Sequence, residues 1–239
     1  MMLNILGLEK SYPNKKVLNG VNLQIQKGEV LGFVGGNGAG KTTTLNIITD
    51  ILACDKGMVN INGLTKEDGL EYKKQFFYIP DTIHLFRNVA GYDWILFLMS
   101  LFNNTNYERL NNYIKRFEME ESIKSASGTY SYGMLHKMSL IAAFTLNPPI
   151  IIMDEPLNGL DPSAVVVFKE EIKRYVESGG TIFFSTHLLD VAEKICTTVA
   201  ILKDGKIILH DEVKSVIGNR SLESIFMEAQ IYERDTQSN

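Results

Sequence analysis

Only two cysteines occur among the 239 residues, Cys54 and Cys196, and their separation fits no metal-binding or redox spacing. They read as two reduced thiols. No apolar run approaches the ~18–20 residues that span a bilayer; the longest, Trp94-Ile-Leu-Phe-Leu-Met99, is far shorter. The segment from Met1 to Tyr12 lacks a basic stretch followed by an apolar one, so no secretory leader is expected. Positive charge is not in excess. The chain has 24 Lys and Arg against 28 Asp and Glu, a net charge of −4, which argues against a broadly basic nucleic-acid-binding surface. No repeat, low-complexity tract or Pro/Gly/Ser-rich linker interrupts it. What remains, 45% apolar and 22% charged residues, excludes disorder of the whole chain. The length suits one domain or at most two small ones.

Three apolar, β-rich runs each end in a polar cluster. Val30-Leu-Gly-Phe-Val34 leads into Gly35-Gly-Asn-Gly-Ala-Gly-Lys-Thr42, Ile150-Ile-Ile-Met153 into Asp154-Glu155, and Thr181-Ile-Phe-Phe184 into Ser185-Thr186-His187. Short continuous apolar runs suit strands buried on both faces, as in a parallel sheet covered by helices. Ligands of such sheets bind beyond the carboxyl ends of the strands, where all three clusters fall. One site assembled from distant sequence is expected.

Other elements are read more coarsely. Ile5 to Lys10, Val17 to Gln26 and Met58 to Ile61 are expected as strands of an antiparallel layer. Val199 to Leu209 reads as a hairpin turning at Asp204-Gly205. A helix is expected over Thr42 to Leu52, and a mainly helical lobe over about 83–147, inserted between sheet strands. Within it Ser131 is placed to cap a helix that runs from about Gly133 to Leu146 and stops at Asn147-Pro148-Pro149. The expected organisation is one unit over 1–228 followed by a polar, frayed tail over 229–239.

Gly35-x-x-x-x-Gly40-Lys41-Thr42 fits the phosphate-binding loop pattern, with the strand before it and the helix after it that the motif requires. Its backbone N–H groups, from Gly35, Gly36, Asn37, Gly38, Ala39 and Gly40 to Thr42 and Thr43, face phosphates, helped by the positive end of the helix. Lys41 then reaches the β- and γ-phosphates, and the Thr42 hydroxyl ligates Mg2+. Asp154 and Glu155, adjacent carboxylates at a buried strand end, need a partner. Beside a nucleotide, Asp154 approaches Mg2+, usually through water, and Glu155 orients the attacking water.

At this point the chain resembles the nucleotide-binding subunits of ATP-binding cassette (ABC) transporters, over about residues 3–228. Met153-Asp-Glu-Pro-Leu-Asn-Gly-Leu-Asp-Pro162 is highly specific to that family. The resemblance implies the fold: a P-loop NTPase of ABC type, α/β, its mostly parallel core sheet flanked by helices and joined by the antiparallel layer and helical lobe. It implies ATP and Mg2+ as ligands, and ATP hydrolysis with Glu155, His187 and Lys41 as catalytic residues. His187 matches the residue that contacts the γ-phosphate. Tyr130-Ser-Tyr-Gly-Met134 stands for the signature motif, so Ser131 and Gly133, with Asp161, are implied to reach ATP held by another subunit. Tyr12 matches the aromatic residue that stacks on adenine. Asp81 falls where the family carries a metal-sensing glutamine, and Tyr132 where a basic residue is frequent.

The resemblance further implies a head-to-tail dimer with a second copy or a homologous subunit. It implies a separate membrane permease, no nucleic-acid partner, and a place on the cytoplasmic face of the cell membrane. The Tyr-Ser-x-Gly-Met form resembles the branch serving drug, peptide or bacteriocin exporters. A soluble ATPase acting on nucleic acid or ribosomes and a non-hydrolysing regulatory subunit remain as alternatives. The stretch from Trp94 to Phe102 is either lobe core or, in part, the wall of a groove for the permease.

Overall fold

The computed structural model describes residues 1–218 and 220–231. The strands are β1 (Leu3–Tyr12), β2 (Lys15–Ile25), β3 (Val30–Gly35), β4 (Lys56–Ile61), β5 (Phe76–Ile79), β6 (Ile150–Asp154), β7 (Thr181–Thr186), β8 (Thr198–Lys203) and β9 (Lys206–Glu212). The helices are α1 (Lys41–Ile48), α2 (Leu70–Lys73), α3 (Gly91–Leu101), α4 (Tyr107–Arg116), α5 (Tyr132–Leu146), α6 (Pro162–Glu177), α7 (Leu189–Ile195), α8 (Val213–Ile217) and α9 (Leu222–Ile231). Of the tail expected from 229, the part from 232 lies outside the described residues, and α9 continues through Ile231.

The main sheet has the order β5-β6-β7-β3-β8-β9. All its pairings are parallel except β8 with β9, so the hairpin at Asp204-Gly205 closes one edge of this sheet. Both turn residues have positive φ, as that two-residue turn requires. Every residue of β3, β6 and β7 is buried. Alternation along β6 sends Ile151 and Met153 to one apolar cluster and Ile150 and Ile152 to the other. The first cluster holds α3 to α6; the second packs the sheet onto α1 and the inward faces of β1 and β2. The separate antiparallel sheet, ordered β2-β1-β4, forms the expected second layer.

Helix α5 is the axis of the helical lobe. His136 through Leu146 are all buried, which fits a helix that is apolar nearly all round. It begins at Ser131, whose hydroxyl accepts the Met134 N–H at 3.2 Å, and ends at Asn147 in the left-handed region. In α3, Ile95 and Met99 are buried while Phe97 and Leu101 are exposed, so this stretch serves the core on one face only.

Two boundaries differ from the sequence reading. Helix α1 stops at Ile48 rather than at Leu52, because Asp50 takes a positive φ and the chain turns there. The lobe starts as extended chain rather than helix: Ala90 bridges to Ala126, and α3 begins at Gly91.

Candidate nucleotide site

Strands β3, β6 and β7 are neighbours, so their carboxyl ends bring the three polar clusters together. A cavity of about 380 Å³ opens there, lined by Gly36, Asn37, Gly38, Gly40, Lys41, Thr42, Thr43, Asp81, Asp154 and Glu155, with Lys15 and Val17 from β2. The phosphate loop curls because Gly40 holds φ at +112°, a conformation L side chains rarely adopt. A Cβ there would also lie 2.7 Å from the Leu18 side chain. Gly35 is glycine for another reason: its Cβ would meet the Leu202 carbonyl at 2.7 Å.

Buried Lys41 donates from Nζ to the Gly35 carbonyl at 2.8 Å and stands 3.6 Å from Glu155 Oε1. The Thr42 hydroxyl donates to Asp154 Oδ2 at 2.6 Å, which joins the loop to the end of β6. Asp154 is almost fully buried, and its Oδ1 accepts a short bond from the Ser185 hydroxyl on β7. Ser185 Oγ also accepts the Glu155 N–H, at 3.1 Å. Glu155 has a positive φ of 48°, the bend by which the chain leaves the buried strand. His187 presents Nδ1 to Glu155 Oε2 at 2.9 Å.

Thr42 and Asp154 therefore offer adjoining hard oxygen donors. Among the described residues no group of three or more His, Cys, Asp or Glu could hold a metal unaided. That donor set fits Mg2+, which characteristically takes one or two carboxylates together with substrate phosphates and water.

The remaining candidates stand outside the cavity walls. Tyr12, half-exposed at the end of β1, pairs across the hairpin with Lys15, whose Nζ reaches the Gly38 carbonyl at 3.4 Å. Ser131 caps α5, and Gly133 lies where a Cβ would overlap the Gly159 carbonyl. Asp161 caps α6 through the Ala164 N–H at 2.9 Å and pairs with Lys137 of α5 at 2.6 Å. The Lys137 hydrogen bond, followed by those from Ser163 and Ala164, holds the Asp161 carboxyl well below its ordinary range.

Sequence reasoning missed Lys15, the tie from Ser185 to the Asp154 carboxylate and the Glu155 backbone, and the contacts of Lys137 with Asp161 and of Asn158 with Asp81. Only Lys15 left a trace, as a cation in the turn beside Tyr12. The others are pairings between distant segments.

A model of the ABC transporter family matches residues 18–158. The chain is similar to the ABC-type transporter ATP-binding protein EcsA of Bacillus subtilis (strain 168), 32% identical over 86% of this chain and 85% of that one. It is 28% identical to the lantibiotic transport ATP-binding protein SrtF of Streptococcus pyogenes, over 98% of this chain and 99% of that one. Among solved structures, an ATP-binding subunit of an ABC transporter superposes with a TM-score of 0.91 at 30% identity, covering 95% of this chain and 99% of that one. A dimeric ATP-binding cassette in a post-hydrolysis state with ADP and Pi superposes with a TM-score of 0.79 at 25% identity, over 89% and 99%. With a phosphate loop, a buried Asp-Glu strand end and a histidine on the glutamate converging on one cavity, the chain belongs to the ABC transporter family as an ATP-binding, ATP-hydrolysing subunit.

Proposed function

We propose that this subunit binds MgATP in the cavity at the ends of β3, β6 and β7, closes head-to-tail on a second subunit, and drives a separate membrane permease. The observation that carries the reading is the convergence of Lys41, Thr42, Asp154 and Glu155 on one cavity, with His187 on the glutamate.

The backbone from Gly35 to Thr43 cradles the phosphates, and Lys41 neutralises the β/γ oxygens at a site it already occupies, so little reorganisation is needed. Tyr12 lies beside this loop and stacks on the adenine. Thr42 and Asp154 hold Mg2+, with Asp81 at the cavity rim; the ion would neutralise phosphate charge during transfer. Glu155 orients the attacking water and takes its proton, while His187 holds the glutamate and contacts the γ-phosphate.

Ser131, Gly133 and Asp161 lie off this cavity and belong to the surface that meets the other subunit's ATP. Closing two such cassettes buries both nucleotides, and hydrolysis releases them. Likeness to a cassette solved as a dimer with ADP and Pi supports this arrangement.

No helix among the described residues is long and apolar enough to cross a membrane, so the transport path belongs to a separate permease on whose cytoplasmic side this subunit sits. The segment from Asp81 to Phe86 is its docking site, with the Phe86 side chain 82% exposed. The cargo is a drug, peptide or similar molecule leaving the cell, the reading supported by likeness to a lantibiotic transport protein.

The test is a sizing column with Glu155→Gln and ATP. Doubled mass that disappears in Ser131→Arg is expected, together with crosslinks from cysteines at Thr82 or Leu85 to a membrane protein encoded alongside. A monomer at saturating ATP that forms no such crosslink would remove the transport reading.

A further inference from the structure

Asp81 and Tyr132, each at a position where the sequence differs from the pattern it resembles, are bonded to each other. The Tyr132 hydroxyl lies 2.8 Å from the Asp81 carbonyl oxygen and 3.2 Å from its Oδ1. Asn158 donates its side-chain N–H to the same Oδ1 at 3.0 Å, and His136 Nε2 holds the Asp81 carbonyl at 3.1 Å. Among the described residues none hydrogen-bonds Oδ2, and Asp81 lines the nucleotide cavity with Thr42, Asp154 and Glu155.

The tyrosine is itself fixed. Its ring packs on His136 with centroids 4.5 Å apart, and a Cβ at Gly159 would run into it. Burial and the Asp81 carboxylate raise the Tyr132 phenol above its ordinary value, so it stays a donor at neutral pH.

An aspartate is one methylene shorter than glutamate and cannot search for a metal over the same distance. Asn158 gives Oδ1 a full charge-assisted bond, and the single Tyr132 proton is shared between Oδ1 and the Asp81 carbonyl, so side chain and backbone are pinned together and the place of the other oxygen is fixed. We propose that Tyr132, with Asn158, is a positioning residue for Asp81. Together they anchor Oδ1 so that Oδ2 faces the metal side of the cavity. This rests on the MgATP site proposed above and goes beyond it. It makes the first residue of α5 part of the metal site, next to Ser131 on the face that meets the other subunit.

A fixed carboxylate beside the γ-phosphate attracts nucleotide that carries a cation and repels nucleotide without one. The ratio of ATP affinities measured with Mg2+ and with EDTA therefore reports the position of Asp81, whereas loosened folding moves both affinities together. Equilibrium binding to Glu155→Gln protein supplies both numbers without turnover. Tyr132→Phe keeps the ring on His136 and loses only the hydroxyl. It is expected to cut the ratio several-fold, as are Asn158→Ala and Asp81→Ala. Tyr132→Phe combined with Asp81→Ala should lose no more than Asp81→Ala alone, because the tyrosine acts through the aspartate.

A ratio unchanged in both Tyr132→Phe and Asn158→Ala overturns the proposal, as does a further drop when Tyr132→Phe is added to Asp81→Ala. If Tyr132→Phe fails to fold, Asn158→Ala with and without Asp81→Ala decides alone. Glu155→Gln protein that binds no MgATP would overturn the underlying nucleotide site instead, a result distinct from either.

Discussion

His187 holds one oxygen of Glu155 from two directions: its ring Nδ1 lies 2.9 Å from Oε2, and its backbone N–H donates to the same oxygen at 3.3 Å. The other oxygen faces Lys41 at 3.6 Å. A glutamate fixed in this way is oriented before any water arrives. Glu155→Gln preserves the shape and removes the carboxylate proposed above as the proton acceptor. Single-turnover hydrolysis is expected to slow by roughly 10²–10⁴-fold with ATP affinity retained. Turnover at the wild-type rate would take the catalytic role away from Glu155.

Lys41 donates to the Gly35 carbonyl and is nearly buried, so its ammonium is placed before nucleotide enters. Lys41→Ala removes the fixed cation and leaves Glu155 without its charged neighbour. MgATP affinity measured by equilibrium dialysis should collapse along with hydrolysis. Near-native values of both would refute the phosphate-loop assignment.

Ser185 ties the end of β6 to β7, donating to the Asp154 carboxylate and accepting from the Glu155 backbone N–H. Ser185→Ala leaves the buried Asp154 Oδ1 short of a donor, while the Glu155 N–H keeps the Ser185 carbonyl at 3.2 Å. A loss of about 1–3 kcal/mol in urea unfolding is expected. An unchanged midpoint would mean that solvent takes over the lost bond.

Gly133→Ala drives a methyl group into the Gly159 carbonyl, which is backbone and cannot swing aside. Overpacking of this kind costs about 1–3 kcal/mol. Thermal melting should report it, while ATP binding to the isolated subunit should persist, since Gly133 is no part of the cavity wall. Loss of nucleotide binding at full stability would contradict that placement.

The Asp161 carboxyl is held below its ordinary value of 3.8, chiefly by the hydrogen bond from Lys137. A carboxyl with a depressed folded-state value binds fewer protons than it does in the unfolded chain. Its contribution is therefore complete above pH ~4 and is lost as pH falls further. Acid unfolding followed by circular dichroism should show wild type more stable than Asp161→Asn at pH 6, with the difference shrinking below pH ~4. Because the carboxylate is partly exposed, the difference will be modest. A gap that stays constant across that range would show that the pair contributes nothing through its charge.

The loop from Gly35 to Thr42 was legible as a glycine-rich turn between strand and helix because its pattern carries that context, and β3, β6 and β7 because burial on both faces leaves unbroken apolar runs. The antiparallel layer was legible through its alternation, and the α5 cap through Ser131. Helix α1 was read too long, since Asp50 in the left-handed region is a local choice that periodicity does not report. The start of the lobe was read as helix because apolar spacing cannot distinguish a covered extended segment, held here by the pairing of Ala90 with Ala126, from a helical turn. Ser185, Lys137 and Asn158 were beyond reach for another reason. Each matters only through a partner at least 24 residues away, and no local pattern encodes such a pairing.

The position of β3 has a consequence for how the chain is made. It lies between β7 and β8, so neither edge of this strand has its main-sheet partner until residues 181–203 exist. A ribosome that has released the phosphate loop still has well over a hundred residues to add before that loop acquires a frame. During that interval an apolar strand with two open edges is exposed to the surrounding solution, the kind of species that chaperones capture. ATP can then recognise only a chain that has been read through residue 203.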